Sequence, residues 1–139
     1  MQVSDRMSTP PITVTLDSMY HKALKLFQDH RMHHLPVVDA QGKLAGIVAE
    51  RDLLLAASHY VQNPVEVSEI MHREVITTTP DMLMQDAATL MLDHKIGSLP
   101  VVDAEQHLVG ILTETDVLRA FVELLREHTE LKSLQKGAN

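Results

Sequence analysis

Apolar positions along the chain follow two spacings, one typical of helices and one typical of strands. A stripe with helical spacing occurs twice, at Ala23, Leu26, Phe27 and His30, and again at Ala87, Leu90, Met91 and His94. Each stripe predicts a helix with one buried face. Short β-branched runs follow the first stripe, at 35–38 and 44–48, and the turn residues Asp39-Ala40-Gln41-Gly42 between them predict a hairpin.

The second half of the chain repeats the first. The segment His34-Leu35-Pro36-Val37-Val38-Asp39-Ala40 recurs as Ser98-Leu99-Pro100-Val101-Val102-Asp103-Ala104, and the same offset of 64 residues aligns Asp52 with Asp116 without a gap. The chain is therefore two copies of one unit. The order of elements in each copy predicts an α/β (α+β) fold of two tandem β-α-β-β-α repeats.

Helix ends set the expected boundaries. Thr79-Pro80-Asp81 has the residues of a helix start, with Thr79 as the N-cap, and the second helix of each copy is expected near 52–57 and from Asp116 onward. The last helix is extended, which predicts packing on its own core in the first two turns and a dimer contact in the later turns. We expect a first repeat at 1–60, a linker at 61–66, a second repeat at 67–125, and a helix end with a tail at 126–139.

Composition and charge exclude several classes of protein. There is no cysteine among the 139 residues, and the net charge of −7 opposes nucleic acid and anionic membranes. No apolar run resembles a signal peptide or a membrane span, so a cytoplasmic protein is expected. The chain contains no P-loop, no Gly-x-Gly-x-x-Gly and no Gly-x-Ser-x-Gly motif, and its acidic pairs are repeated symmetrically, so we expect no enzyme.

The segment Gly110-Ile111-Leu112-Thr113-Glu114-Thr115-Asp116, with the repeated Leu-Pro-Val-Val-Asp, is similar to the signature of CBS domains. Two copies resemble a CBS pair, or Bateman module, over about residues 3–125. The resemblance implies copies packed about a pseudo-twofold axis, two clefts for AMP, ADP, ATP or S-adenosylmethionine-type ligands, and a homodimer. It implies a regulatory module acting on an unknown partner protein. The alternative is a ligand-free interaction or dimerisation module.

Asp116 is the expected ligand contact with the clearest chemistry. Its carboxylate suits two hydrogen bonds from a ribose diol, and Thr113 and Thr115 are hydroxyl donors beside it. All three are expected just before a helix, whose backbone N–H groups favour an anion. The same residues also fit a capping box, in which Thr113 caps the helix and Asp116 reaches back. The two roles are compatible, and both stay open at this point.

The first copy departs from this signature. It keeps Asp52 but has Ala49 in place of Thr113 and Arg51 in place of Thr115. Ala49 neither caps nor donates, whereas Arg51 either grips a phosphate with its planar guanidinium or lies on the surface. We therefore expect unequal clefts, with the better site at Asp116.

By family geometry, an adenine slot lies beside each aspartate. The slot of the Asp116 cleft is expected to contain Ile12, Met32, His33, His34 and Ile111. The slot of the Asp52 cleft is expected to contain Ile47, Ile76, Ile96, Gly97 and Ser98. Taken singly, the apolar members are also typical of an ordinary core.

Nine histidines raise the question of a metal site, since His30, His33 and His34 lie close together. The following Leu35-Pro36 ends the helix before His34, and the second copy has no matching cluster, so no metal and no cofactor are expected. We expect His33 and His34 to contact a phosphate or a base instead. Such contacts would strengthen ligand binding at mildly acid pH.

Overall fold

The computed structural model describes residues 1–59 and 64–137. The first copy forms β1 (Val14–Thr15), α1 (Tyr20–Asp29), β2 (His34–Val38), β3 (Leu44–Ala49) and α2 (Glu50–His59). The second copy forms α3 (Met84–His94), β4 (Ser98–Val102), β5 (Leu108–Thr113) and α4 (Glu114–Gly137). A turn of 3₁₀ helix opens each copy, at Val3–Asp5 and Val67–Glu69. The predicted α/β (α+β) class, with two repeats and an extended last helix, is confirmed.

The expected boundaries at 60, 66 and 125 stay predictions. Residue 60, linker residues 61–63 and tail residues 138–139 lie outside the described residues.

Both predicted hairpins form, and they share one register. β2 pairs antiparallel with β3, with Leu35 opposite Val48, and β4 pairs with β5, with Leu99 opposite Leu112. These four side chains are fully buried. β1 lies parallel to β2, whereas in the second copy a single bridge from Thr78 to Val101 takes its place. The repeats therefore differ in the length of their first strand.

The hairpin turns reach the same conformation with different residues. Gly42 has a φ of 80° and Gln106, which replaces a glycine, has a φ of 69°. A left-handed backbone favours glycine, so another interaction must support the second turn. In both turns an aspartate Oδ1 accepts 2.9 Å hydrogen bonds from the backbone N–H groups two and four residues later. Asp39 and Asp103 are these aspartates, and they stabilise the turn with or without glycine.

The opening segment of each copy packs into the core of the other copy. Val3 belongs to the core of the second copy, whereas Val67 and Met71 belong to the core of the first. The Val3 N–H donates to the carbonyl of Met82 at 2.9 Å, and the Val67 N–H donates to the carbonyl of Ser18 at 2.7 Å. We call residues 3–8 and 67–72 the crossing segments. They intertwine the two copies, so neither copy has a core made only of its own residues.

Equivalent hydrogen bonds relate the two copies. The Leu44 N–H donates to the Gln106 carbonyl at 3.0 Å, and the Leu108 N–H donates to the Gly42 carbonyl at 3.1 Å. Under the 64-residue offset each bond is the image of the other. The copies are therefore related by a pseudo-twofold axis that passes between the hairpin turns, as predicted.

The first helix of the second copy begins later than the sequence suggested, and the expected N-cap at Thr79 is wrong. The Thr79 hydroxyl donates to Asp81 Oδ1 at 2.6 Å, within a turn that ends at Met82. Leu83 then pairs with Gln2, the residue before the first crossing segment, so the helix begins only after Leu83. Pairing with a distant segment has replaced the local capping signal.

The last helix, α4, is packed on one side only. Val117 contacts the core and Ala120 is buried, but Leu118 and Phe121 expose 61% and 55% of their surface. The uncovered apolar face therefore begins within the first two turns, earlier than expected. Neither α4 nor another helix of residues 1–59 and 64–137 is long and apolar enough to cross a membrane.

One ion pair joins a crossing segment to α4. The Arg6 guanidinium donates to the Glu123 carboxylate, and this hydrogen bond lowers the pKa of Glu123 below its ordinary value. The same contact raises the pKa of Arg6. The first copy has Ile70 and His59 at the corresponding positions, so the pair breaks the symmetry of the repeat.

Candidate functional site

Two clefts open between the copies. The Asp116 cleft has a volume of about 420 Å³ and is lined by Arg31, Met32, His33, His34, Gly97, Ser98, Ile111, Thr113, Glu114 and Thr115. The Asp52 cleft has a volume of about 260 Å³ and is lined by His34, Ile47, Ala49, His72, Glu74, Val75, Ile76, Ile96, Ser98 and Pro100. Small-molecule sites commonly measure about 300–1,000 Å³, so only the Asp116 cleft falls in that range.

Most residues expected around Asp116 come together in one wall. The structure brings together Met32, His33, His34, Ile111, Thr113 and Thr115. Ile12 instead packs against the core of the first copy. Gly97 and Ser98, expected in the other cleft, also line this one, because the second hairpin begins where the two clefts adjoin.

The Asp52 cleft contains four of the residues expected there, which are Ile47, Ile76, Ile96 and Ser98. Gly97 lies on the other side, in the Asp116 cleft. Arg51 lines neither cleft. It lines a further hollow of about 600 Å³ along α2, together with Leu54 and Leu55. This hollow adjoins the clefts, since His33, His34 and Ala49 also line it. Arg51 is exposed in this structure.

Asp116 caps its own helix. Its Oδ2 accepts hydrogen bonds from the Thr113 N–H at 2.8 Å and from the Thr113 hydroxyl at 2.9 Å. The sequence suggested that Thr115 and Asp116 precede the helix. Because α4 begins at Glu114, both residues instead lie in its first turn. The capping role left open above is thus present. Within the described residues, Asp116 Oδ1 has no hydrogen-bond partner. Asp116 is not itself among the residues that line the cleft, but Thr113, to which it bonds, is one of them. Asp52 is likewise absent from the lining of its own cleft.

Asp52 is arranged differently. Its Oδ2 lies 2.6 Å from Nε2 of His72, a residue that lines the Asp52 cleft. Ala49 supplies no hydroxyl to hold this carboxylate as Thr113 holds Asp116. The two aspartates of the repeated signature therefore have different partners.

Besides His72, three charged or titratable groups in the walls were not anticipated. Arg31 and Glu114 line the Asp116 cleft, and Glu74 lines the Asp52 cleft. The Glu114 carboxyl group lies over Gly97, where an added Cβ would come within 3.2 Å of it. A signal for Arg31 existed in the sequence, since it immediately precedes Met32 and is basic in an otherwise acidic chain.

His34 lies where the two clefts adjoin and lines both of them. Burial lowers its pKa from the ordinary value, and the neighbouring His33 adds to this effect. The neutral form of His34 is therefore favoured over the protonated form more than in a free imidazole. A bound phosphate would favour the protonated form.

We accordingly expect AMP to bind more tightly as the pH falls from 8 to 5.5. Affinity should rise up to about tenfold for each unit by which the phosphate raises the pKa of His34. Calorimetry at several pH values measures the slope. His34→Asn should remove it, and His128→Asn, which changes an exposed histidine on α4, should keep it. A flat profile in the unaltered protein would contradict the expectation.

Within residues 1–59 and 64–137, one group of side chains has metal-ligand chemistry. Asp103, Glu105 and His107 place one ligand atom each within 4.8 Å of the others, on the turn between β4 and β5. Asp103 already holds that turn through two backbone hydrogen bonds. Exposed acidic groups often lie this close without an ion, so the cluster supports no assignment. The absence of a metal or cofactor stays a prediction.

The chain matches the family model of the CBS domain over residues 3–59 and 67–123. It therefore belongs to the CBS domain family and contains two such domains. This confirms the resemblance inferred from the repeated signature.

The chain is similar both to proteins of its own length and to much longer ones. CBS domain-containing protein YhcV of Bacillus subtilis is 37% identical over 118 residues, which cover 83% of this chain and 81% of that protein. The chain is also similar to larger enzymes, but it spans only 21–23% of their length.

Two solved structures are similar over nearly their whole length. The CBS domain pair of protein MJ0100, in complex with 5′-methylthioadenosine and S-adenosyl-L-methionine, has a TM-score of 0.78 and 37% identity, covering 88% of this chain and 97% of that one. CBSX2 in complex with AMP has a TM-score of 0.79 and 31% identity, covering 88% and 97%. The Arabidopsis thaliana protein CBSX2 is itself a CBS-pair protein.

Proposed function

We propose that this protein is a non-catalytic regulatory module that binds an adenosine-containing ligand in the Asp116 cleft and signals to a partner protein. The observation that carries the proposal is the cleft itself. Its volume of about 420 Å³ suits a nucleotide, and it brings apolar, hydroxyl and basic side chains of both copies together. The adenosine ligands of MJ0100 and CBSX2 support the ligand class, of which AMP, ADP, ATP and S-adenosylmethionine are the candidates.

Each part of such a ligand finds a suitable group. Met32 and Ile111 offer apolar surface to an adenine ring. Asp116 Oδ1, beside Thr113, is an acceptor for the ribose hydroxyls, and charge-assisted hydrogen bonds of this kind are strong. Arg31 and His33 supply donors for phosphate oxygens. Capping by Oδ2 orients the carboxylate, so the structural and binding roles of Asp116 reinforce each other.

A signal requires two conformations with different affinity for the ligand. The Asp116 cleft lies between the copies and includes the start of α4. α4 is in turn joined to the crossing segment by the pair of Arg6 and Glu123. We propose that ligand binding biases the position of α4, which presents exposed apolar residues to a partner.

Calorimetry with AMP, ADP, ATP and S-adenosylmethionine tests the proposal. At least one ligand should bind the full chain, and Asp116→Ala should weaken binding at least about tenfold, because hydrogen bonds to a charged group contribute about 1.5–3 kcal/mol. Asp116→Asn retains a capping side chain and should weaken binding less while preserving helix stability.

The matched control is Asp86→Asn, which changes an exposed carboxylate in the first turn of α3, away from both clefts. It should leave affinity unchanged. If the four ligands fail to bind, or if Asp116→Ala binds as tightly as the unaltered protein, the proposed site is wrong.

We further propose that two chains associate through the outer face of α4. Leu118, Phe121 and Leu125 follow each other at helical spacing and each expose about half or more of their surface. Leu92 of α3, which is 77% exposed, continues this face across the hollow that it shares with Leu118. Apolar residues grouped in this way are typical of a subunit interface, and a second copy presents the same face.

Light scattering at tens of micromolar should therefore give the mass of a dimer. Phe121→Glu should give a monomer, since a buried unpaired charge opposes association. Leu134→Glu is the control. Leu134 is also an exposed apolar residue of α4, but it lies about 140° around the helix from Phe121. A monomer at these concentrations, before any substitution, would refute the dimer.

A second candidate function is a ligand-free interaction module. The small Asp52 cleft, with its aspartate bonded to His72, favours this reading for one side of the molecule. The Asp116 cleft favours ligand binding on the other side. The absence of enzymatic activity, of nucleic-acid or membrane binding, and the cytoplasmic location stay predictions from the sequence.

A further inference from the structure

The residue that faces the signature aspartate differs between the two copies. Under the 64-residue offset, His72 corresponds to Ser8. Both belong to crossing segments and pair through the backbone with equivalent strand positions, His72 with Ile47 and Ser8 with Ile111. His72 thereby lies beside Asp52, and the equivalent backbone register gives Ser8 the corresponding position in the second copy. One cleft therefore has an imidazole at this place and the other has a small hydroxyl.

The imidazole binds the carboxylate directly. His72 Nε2 lies 2.6 Å from Asp52 Oδ2, and an imidazole can donate this hydrogen bond in its neutral or protonated form. In the second copy, Thr113 holds Asp116 from within the same helix start, and among the described residues Asp116 bonds to no side chain of a crossing segment. Ala49 removes the corresponding hydroxyl in the first copy and leaves Asp52 to the histidine.

This contact competes with a ribose for the same group. A diol needs the carboxylate oxygens as acceptors, and His72 occupies one of them. The His72 side chain also lines the Asp52 cleft, whose volume of about 260 Å³ is smaller than the 420 Å³ of the other cleft. Since 63% of the His72 side chain is exposed, it can rotate into solvent without unfolding the segment.

We propose that His72 is a latch that closes the Asp52 cleft to adenosine ligands, so that the Asp116 cleft fills first. The inference rests on the proposed function and adds the residue that sets the order of filling. Both aspartates use Oδ2 for an internal hydrogen bond, so the difference lies in the partner. Thr113 belongs to the helix start of Asp116 itself, whereas the His72 imidazole reaches across from a crossing segment and lines the Asp52 cleft, so it has to move before a ligand reaches Asp52. Two differences thus make the clefts unequal, Ala49 and His72, and a substitution at His72 removes the second of them.

Calorimetry on residue exchanges tests the latch, with AMP and S-adenosylmethionine as probes and the full chain throughout. His72→Ser gives the first cleft the residue of the second, and we expect binding at Asp52 to become at least about tenfold tighter because no charge-assisted hydrogen bond must be broken. Ser8→His transfers the latch and should weaken binding at Asp116 by a similar factor. Asp116→Ala combined with His72→Ser isolates the Asp52 cleft. His94→Ser, an exposed change outside both clefts, is the control.

Each outcome has a distinct meaning. If His72→Ser weakens binding at Asp52, then His72 is a ligand contact and the latch is refuted. If it leaves both affinities unchanged while Asp116 is still required, the latch is refuted and the proposed function stands. If neither probe binds any variant, the proposed function fails and the latch fails with it. Tighter binding in His72→Ser and weaker binding in Ser8→His together support the latch.

Discussion

Gly110→Ala is expected to lower the free energy of unfolding by about 1–3 kcal/mol, the usual effect of overpacking a tight contact. A Cβ at this position would lie 2.8 Å from the sulfur of Met7 and 3.0 Å from the carbonyl oxygen of Ser8. That carbonyl accepts a hydrogen bond from the Ile111 N–H, so the backbone of the crossing segment cannot move away without breaking it. The glycine of the signature is therefore required by close approach of the backbone.

The first copy offers an independent test of the same cause. A Cβ on Gly46 would meet the His72 carbonyl oxygen and the Met71 sulfur at 2.7 Å each, so Gly46→Ala should be destabilising as well. Gly137→Ala is the control, since no atom lies within 4 Å of a Cβ there and alanine favours a helix. Urea unfolding measures all three. Equal stability of Gly110→Ala and Gly137→Ala would contradict the prediction, because it would show that the crossing segment can move to accommodate the added methyl group.

Leu99→Ala should have the largest effect on stability, a loss of about 2–5 kcal/mol. Leu99 is fully buried in the core of the second copy, next to residues of the opposite crossing segment. Domains of this size commonly have a free energy of unfolding of about 5–15 kcal/mol, so the substitution removes a large part of it. Because the crossing segments join the cores, we expect the whole molecule to unfold in one transition.

Leu35→Ala, the same change in the first copy, should produce a similar loss and again a single transition. Leu134→Ala is the matched control, because Leu134 is 72% exposed, lies off the proposed dimer face and should change the free energy of unfolding by less than about 0.5 kcal/mol. Circular dichroism during urea unfolding gives the number of transitions. Two separate transitions in either core variant would contradict a core shared between the copies.

The elements and their pairing could be predicted because the relevant signals are local. The repeated Leu-Pro-Val-Val-Asp indicated both hairpins, and the offset made Asp52 and Asp116 equivalent. Six residues of the Asp116 cleft wall were expected, and the resemblance to CBS domains, not the repeat alone, indicated the adenine slot among them. Local signals failed where a distant segment intervened, as at Thr79, where pairing of Leu83 with Gln2 delays the helix.

The exchange of opening segments could not be predicted from the repeat. Val3 and Val67 are buried in either arrangement, so their apolar character does not reveal which core receives them. The bond between His72 and Asp52 depends on that exchange and on the loss of a hydroxyl at Ala49. A symmetric alignment shows the differences His72 for Ser8 and Ala49 for Thr113, but only the fold shows that they act on the same carboxylate.

His34 and Ser98 are equivalent under the repeat, and each lines both clefts. A molecule held on one side therefore contacts atoms that also form the boundary of the other side. Occupancies that share a boundary are linked, and the coupling free energy is the same in both directions. A ligand in one cleft would then change the affinity of the other cleft by the same factor, whichever cleft is filled first.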